Sequence, residues 1–175
     1  MSDNFTVTDT LISASQLNSL DNQYSGTVDA TAVTTITGTA TEITTVYSSS
    51  GISGLGNEAI TITDNHTLAQ LKTINNATSG TITLNDVTVA LSGSSADVAA
   101  ALAGSFTSSY TGIVTITNAD YTVAQLKAIN NATTGVILLD AAATALSGSA
   151  SDLVLAFAGT VSEHTGTVTI TNADY

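Results

Sequence analysis

The chain has 175 residues, lacks cysteine, proline and tryptophan, and carries a formal net charge of −12 at pH 7. Its two basic side chains, Lys72 and Lys127, cannot supply the several phosphate contacts that nucleic-acid binding needs, so we expect no nucleic-acid partner. Its longest apolar runs are about six residues, far short of the ~20 that span a bilayer, so we expect no membrane insertion. The first residues lack the basic and apolar regions of a signal peptide, so we expect export, if any, to be directed from elsewhere.

The sequence repeats itself with a period of about 54 residues. The segment from Thr111 to Tyr121 returns from Thr165 to Tyr175 with one substitution, and the segment from Ala69 to Thr78 returns from Ala124 to Thr133. The repeats run approximately over 5–58, 59–112 and 113–166, with a partial fourth over 167–175. We expect residues 1–175 to form a single solenoid.

Short alternations of β-branched and polar residues predict seven strands. In chain order they are Phe5 to Thr8, Thr27 to Val33, Ala59 to Thr63, Thr81 to Leu84, Ile113 to Thr117, Val136 to Leu139 and Thr167 to Thr171. Because the alternation places every second side chain on the same face, we expect the valines and isoleucines to face the interior.

A serine or threonine stands three residues before a glutamine, glutamate or aspartate six times, at intervals of about 27 residues, which is the capping-box pattern of a helix start. The pairs are Ser13/Gln16, Thr39/Glu42, Thr67/Gln70, Ser94/Asp97, Thr122/Gln125 and Ser149/Asp152. Aliphatic residues three apart follow each pair, as in Leu71/Ile74, and predict a short helix with one buried face. Gly104 and Gly159 mark two of the helix ends.

Strand and helix in alternation every ~27 residues predict an α/β fold, namely a right-handed β-α solenoid. Its coil would be like that of leucine-rich repeats, with one parallel sheet and short helices on the other side. The alternative is a string of small βαβα domains, one for each long repeat. That arrangement predicts linkers between the copies, and the sequence contains no Pro-rich, Gly/Ser-rich or charged spacer there.

The repeat resembles the long Thr/Asp-rich tandem repeats of giant secreted bacterial proteins of the hemolysin-type or adhesin-like kind. The resemblance is carried by Val114 to Asn118, Thr122 to Ile129 and Thr133 to Val136. It implies an extracellular or cell-surface location and a passive role as stalk, matrix or adhesin. The calcium-binding nonapeptide that often accompanies such proteins is absent from this sequence.

Acidic residues at the predicted strand ends are the candidate metal ligands. They are Asp9, Asp29, Asp64, Asp86, Asp120, Asp140 and Asp174. Stacked carboxylates repel one another, so a divalent cation such as calcium could bridge them. The alternative is that each aspartate, with neighbours such as Asn118 and Asn172, closes the turn between strand and helix by a local hydrogen bond.

Threonines in pairs predict an exposed hydroxyl face on the strands. They are Thr6, Thr8, Thr61, Thr63, Thr81, Thr83, Thr115, Thr117, Thr169 and Thr171. A flat threonine array is the kind of surface that ice-binding solenoids use, whereas threonine is also an ordinary solvent-facing strand residue. Ile137 and Leu139 interrupt the pattern.

Few other side chains suggest a site. Tyr110, Tyr121 and Tyr175 could stack on sugars if exposed, but their place near strand ends favours partial burial over the core. His66 and His164 are expected in turns or on the surface, because neither has a second ligand at metal-binding spacing.

The sequence lacks a nucleophile with a base, a carboxylate pair and a phosphate loop, so we expect no enzyme and no cofactor other than calcium. The hypothesis that remains is a structural or adhesive scaffold of the cell surface that associates with itself end to end, possible partners including other surface or matrix components. The alternative is a module that binds calcium, glycan or ice.

Overall fold

A computed structural model describes residues 3–172, so Asp174, Tyr175 and the end of the predicted fourth repeat lie outside the described residues. The described residues form six helices: α1 (Ala14–Gln23), α2 (Ala40–Ser48), α3 (Leu68–Ala77), α4 (Ser95–Leu102), α5 (Val123–Ala132) and α6 (Ala150–Phe157). All six begin where the serine or threonine of the capping pattern predicts.

Twelve short strands lie between and before these helices in the described part of the chain. They are β1 (Phe5–Thr6), β2 (Leu11–Ser13), β3 (Val28–Asp29), β4 (Thr35–Gly38), β5 (Ile52–Ser53), β6 (Ala59–Ile62), β7 (Ile82–Thr83), β8 (Leu91–Gly93), β9 (Val114–Ile116), β10 (Ile137–Leu139), β11 (Leu146–Gly148) and β12 (Val168–Ile170). Each of the seven predicted strands overlaps one of them, and five further strands were not predicted.

All the strand pairs are parallel, and they fall into four sheets. The strand orders are β1-β3-β5, β2-β4-β6-β7, β8-β9-β10 and β11-β12. The fold is therefore α/β with parallel sheets, as predicted, but the prediction of one sheet is wrong. The reason is that most stretches between two successive helices contain two short strands separated by a bend, and each of these strands pairs with different neighbours.

The chain packs as two compact units. The first contains the chain up to Asp86 together with Gly104–Ser108, and the second contains Val87–Ala103 together with the described chain from Ser109 onward. Successive helices pack on one another within each unit, α1 to α3 in the first and α4 to α6 in the second. The prediction of a single solenoid with repeats 5–58, 59–112 and 113–166 stays a prediction.

The interior of each unit is aliphatic and follows the predicted alternation in part, but Ile113 and Val136 are 49% and 43% exposed, so the expectation that the valines and isoleucines of the strands face inward is wrong for these two. In the first unit Ile36, Ile60 and Ile82 lie opposite one another on adjacent strands, and all three are buried. In the second unit Val114 and Ile137 do the same. Each such side chain contributes roughly 1.5–3 kcal/mol when fully buried, so the aliphatic residues of neighbouring strands together supply the core of each unit.

The helix starts differ in one detail from the prediction. All six cap hydroxyls accept the third helical amide, but the reciprocal bond to the cap backbone forms only at α1, α2, α3 and α5. At α4 and α6 the third residue is an aspartate, whose carboxylate accepts from the cap hydroxyl, as Asp152 does from Ser149 at 2.9 Å; the glutamine or glutamate at the other four starts accepts the same bond. The aspartate side chain is one methylene shorter than glutamate or glutamine, which explains the loss of the reciprocal bond.

Candidate functional site

The predicted threonine face is divided among several ladders. None of the ten threonines is buried, in agreement with an outward position. Thr61 and Thr83 lie opposite each other on β6 and β7, but Thr6 lies opposite Asp29 and Thr169 opposite Ser147. Thr115 lies between Ser92 and Leu138 on the neighbouring strands. The longest continuous hydroxyl row was not predicted in full; it consists of Ser13, Thr37, Thr61 and Thr83.

One predicted ligand, Asp64, has a structural role in capping a helix. Its Oδ1 accepts the backbone N–H of Ala40, the first residue of α2, at 2.7 Å. Asn118 and Asn172 do the same for the first residues of α4 and α6, at 2.7 and 2.9 Å. This amide is one that the helix's own cap side chain does not reach. Asp64 therefore makes a structural hydrogen bond, as the alternative interpretation predicts. That bond reaches a helix 24 residues earlier in the chain, however, and does not close the local turn between strand and helix.

The other predicted ligands are dispersed. Asp9 and Asp140 are exposed, and Asp120 accepts a bond from Asn118. Asp29, which binds Thr31 Oγ1 at 2.5 Å, does close a local turn, and that bond lowers the pKa of its carboxyl. Asp174 lies outside the described residues. Within residues 3–172, no three acidic, histidine or cysteine side chains lie close enough together to hold a metal ion.

Two of the predicted tyrosines are buried. The hydroxyl of Tyr110 donates to the carbonyl of Val89, and that of Tyr121 donates to the carbonyl of Ala141 at 2.9 Å. Both rings therefore cover the core, as expected, and are not available to stack on a sugar. Tyr175 lies outside the described residues.

His66 lies in the turn before α3, one of the two predicted locations, but its side chain is buried, so it does not lie on the surface. Burial lowers the pKa of its imidazole, while the negative charges of Asp86 and Asp64 act in the opposite direction. His164 is half-buried, with Nε2 2.8 Å from the carbonyl oxygen of Thr144 and its ring beside Phe157.

We expect His66 to make the protein less stable in mild acid. A histidine whose folded pKa lies below its unfolded value of about 6.5 contributes stability above that pH, and the contribution is lost as pH falls through the folded pKa. Urea unfolding of the native chain and of His66→Gln, compared between about pH 7 and about pH 5, should show a smaller loss of stability in the variant. Parallel losses in the two proteins would contradict this role.

Glu58 is a buried carboxylate that the sequence analysis missed. It is 0% exposed, and its two oxygens accept the Tyr47 hydroxyl at 2.9 Å and the Gly56 amide at 2.7 Å. Burial, followed by the charge of Glu58, raises the pKa of the Tyr47 phenol well above its usual range. Gly112 and Gly166 occupy the corresponding place in the next two repeats, and this departure from the repeat is the signal that could have found Glu58.

The first unit has an open cleft at its first turn. Its volume is about 360 Å³, and its lining includes Phe5, Val7, Asp9, Ile12, Ser19 and Leu20. The lining mixes apolar side chains from β1, from β2, from the segment between them and from α1 with hydroxyls, one amide and one carboxylate. Because β1 pairs with β3 and with no other strand in the described part of the chain, this cleft lies at an open strand edge.

The second unit has an open edge at β12. The Val-Thr-Ile sequence of β9 recurs in β12, yet Val114 and Ile116 are 0% exposed whereas Val168 and Ile170 are 43% and 45% exposed. β9 has a strand on both sides, β8 and β10, but β12 pairs only with β11 among the described strands. Val154 and Leu155 on α6 are also exposed. This part of the second unit therefore has exposed apolar side chains on both β12 and α6, whereas the Val and Ile of β9 are buried between two neighbouring strands.

No helix in the described part of the chain has the length and apolar character needed to cross a membrane. No protein-family model, curated protein or solved structure matches the chain.

Proposed function

We propose that this chain is a structural repeat scaffold without enzymatic activity that extends by end-to-end association of its copies. Each of its two units is a stretch of right-handed β-α solenoid in this proposal. The support for the solenoid is the pairing of each strand with a strand one turn away, always in parallel, and the packing of successive helices. Right-handed winding is the general rule for parallel strands joined by a helix.

One comparison within the chain carries the proposal, that of β9 with β12. Two strands of equal sequence differ in exposure because one is covered by a following turn and the other is not. A parallel strand with a free edge and half-exposed Val and Ile side chains is a template for another chain. The cleft beside β1 offers a second apolar surface with a free strand edge. The partner that we propose is a second copy of the chain, whose cleft beside β1 binds at the free β12 edge of the first copy.

An extracellular or cell-surface location belongs to the same proposal. It is supported by the resemblance to repeats of secreted bacterial proteins and by a cysteine-free, acidic composition that suits an oxidising compartment as well as a reducing one. The proposal also includes other surface or matrix components as partners of the half-buried hydroxyl row of Ser13, Thr37, Thr61 and Thr83.

The test is the oligomeric state of the chain as a function of concentration. We expect sedimentation velocity to show a mass that increases steadily with concentration, and more strongly in higher salt, because copies with a net charge of −12 repel one another until that charge is screened. A monomer at all concentrations and salt levels would contradict the proposal.

A charge placed in the cleft should weaken this association. Ser19 and Ser48 are matched positions, since both are exposed helix serines whose hydroxyls donate to the carbonyl four residues earlier, but only Ser19 lines the cleft. We expect Ser19→Lys to weaken association at least about tenfold, because a desolvated, unpaired ammonium costs more than the 1.4 kcal/mol that tenfold represents. Ser48→Lys should leave it unchanged.

A further inference from the structure

Four segments of the chain share one pattern, in which a strand residue is followed four positions later by Asp or Asn. We call them cap segments; they are Phe5–Asp9, Ile60–Asp64, Val114–Asn118 and Val168–Asn172. Their alignment is structural as well as sequential, because Phe5 lies opposite Val28 as Ile60 lies opposite Ile82 and Val114 opposite Ile137.

Three of the cap segments make the same two contacts with the preceding turn. Their strands pair with β4, β8 and β11, and the fourth residue of the segment donates its N–H to the glycine that ends that strand, as Thr171 does to Gly148 at 3.0 Å. The closing Asp or Asn then accepts the first amide of the helix that follows that glycine. Each of these segments therefore seals the start of a helix in the preceding turn.

The first cap segment, Phe5–Asp9, makes neither of these contacts within residues 3–172. Its strand pairs with β3 on one edge, and its other edge faces no strand among residues 3–172. Asp9, which corresponds to the capping Asp64, is exposed and lines the open cleft. The segment is thus shaped to cap a preceding turn, and a second copy of this chain contains such a turn in β11 and α6.

The place on β11 and α6 is occupied within the same copy by Val168–Asn172. That occupant brings no following turn within the described residues, so Val168 and Ile170 stay half-exposed. The segment Phe5–Asp9 instead brings β3 and α1 behind it. If Phe5–Asp9 replaced Val168–Asn172, the backbone bonds to β11 and the cap on α6 would be kept. The free edge would also be covered, because β1 already pairs with β3 on its other side.

We propose that copies of this chain join by strand exchange, Phe5–Asp9 of one copy taking the place on β11 and α6 of another that Val168–Asn172 holds in the isolated chain. This inference rests on the proposed end-to-end association and specifies its contact. In the joined pair Thr6 takes the position of Thr169 opposite Ser147, and Asp9 takes that of Asn172 at the first amide of α6.

Cysteine pairs test the register, since the chain has no cysteine of its own. Neighbouring parallel strands are about 4.8 Å apart, which suits a disulfide. In the Thr6→Cys, Ser147→Cys variant we expect oxidation to produce covalent dimers and longer ladders on a non-reducing gel. In the matched Ser147→Cys, Thr169→Cys variant we expect a disulfide within one copy that holds β12 in place and reduces association more than tenfold relative to the same protein reduced.

Asp9 supplies an independent readout. We expect Asp9→Ala to weaken association about fivefold through loss of a helix cap, and Asp9→Asn to restore it because Asn118 and Asn172 perform the same task.

The outcomes separate the inference from the proposed function. If copies associate but the cysteine introduced by Thr6→Cys does not bond to the one introduced by Ser147→Cys, the copies stack without exchange. In a Thr6→Cys, Thr169→Cys variant, a disulfide between copies would likewise show that β1 lies beside β12 and does not replace it. In either case the inference fails while the proposed function stands. If neither the native chain nor any of the variants associates, both the strand exchange and the proposed function are refuted.

Discussion

Replacing Ile116 by alanine should reduce the free energy of unfolding by about 3 kcal/mol, whereas replacing Ile170 should cost less than about 1 kcal/mol. The two residues occupy the same position in strands of equal sequence, but Ile116 is fully buried and Ile170 is 45% exposed. A buried isoleucine loses its transfer energy and leaves a cavity when it is shortened, while a half-exposed one loses only part of the transfer energy.

The measurement is urea unfolding of Ile116→Ala and Ile170→Ala at low protein concentration, where copies do not associate. Because the local sequences match, differences in strand propensity cancel between the two variants. Equal losses would mean that the edge of β12 is covered in the isolated chain, and the basis of the proposed association would be removed.

Replacing Glu58 by alanine should cost about 3–5 kcal/mol, because the Tyr47 hydroxyl and the amide of Gly56 would each lose a buried acceptor at about 1–3 kcal/mol per group. This is a large effect for a side chain outside the aliphatic core. It follows from the complete burial of the carboxylate and from the convergence of its donors.

Two further variants define the cause. Glu58→Gln retains the shape and one acceptor oxygen, so we expect a loss of only about 1–2 kcal/mol. Glu163→Ala removes an exposed carboxylate and should change stability by less than about 0.5 kcal/mol. Thermal or urea unfolding measures all three, and a Glu58→Ala protein as stable as Glu163→Ala would refute a structural role for the buried carboxylate.

Much of the fold could be predicted because its signals are local. Ser94 and Asp97 are three residues apart, and the helix start that they form depends on contacts within one turn of backbone. The alternation in Val114 to Ile116 likewise identifies a strand and its inward face without reference to the rest of the chain. By contrast, strands such as Leu91–Gly93 escaped prediction because three residues with a glycine carry too little alternation to be distinguished from a turn.

The candidate site was harder to predict because its residues act on distant parts of the chain. Asp64 resembles a turn residue or a metal ligand in the sequence, and only the position of α2 shows that it caps Ala40. Glu58 carries no motif, and its burial depends on Tyr47 from the preceding helix. The ten threonines share a pattern, but pairing places them on several ladders.

The sequence by itself determined the repeat period and the six helix starts. Each helix start depends on side chains within a few positions of one another, and the period follows from direct comparison of the repeated segments. Only the tertiary structure decided how the strands divide among four sheets, which polar residues cap a neighbouring turn, and why one Val-Thr-Ile strand is buried and its copy exposed. Those properties depend on which strands and helices pack alongside each segment, and a short stretch of sequence does not specify those neighbours.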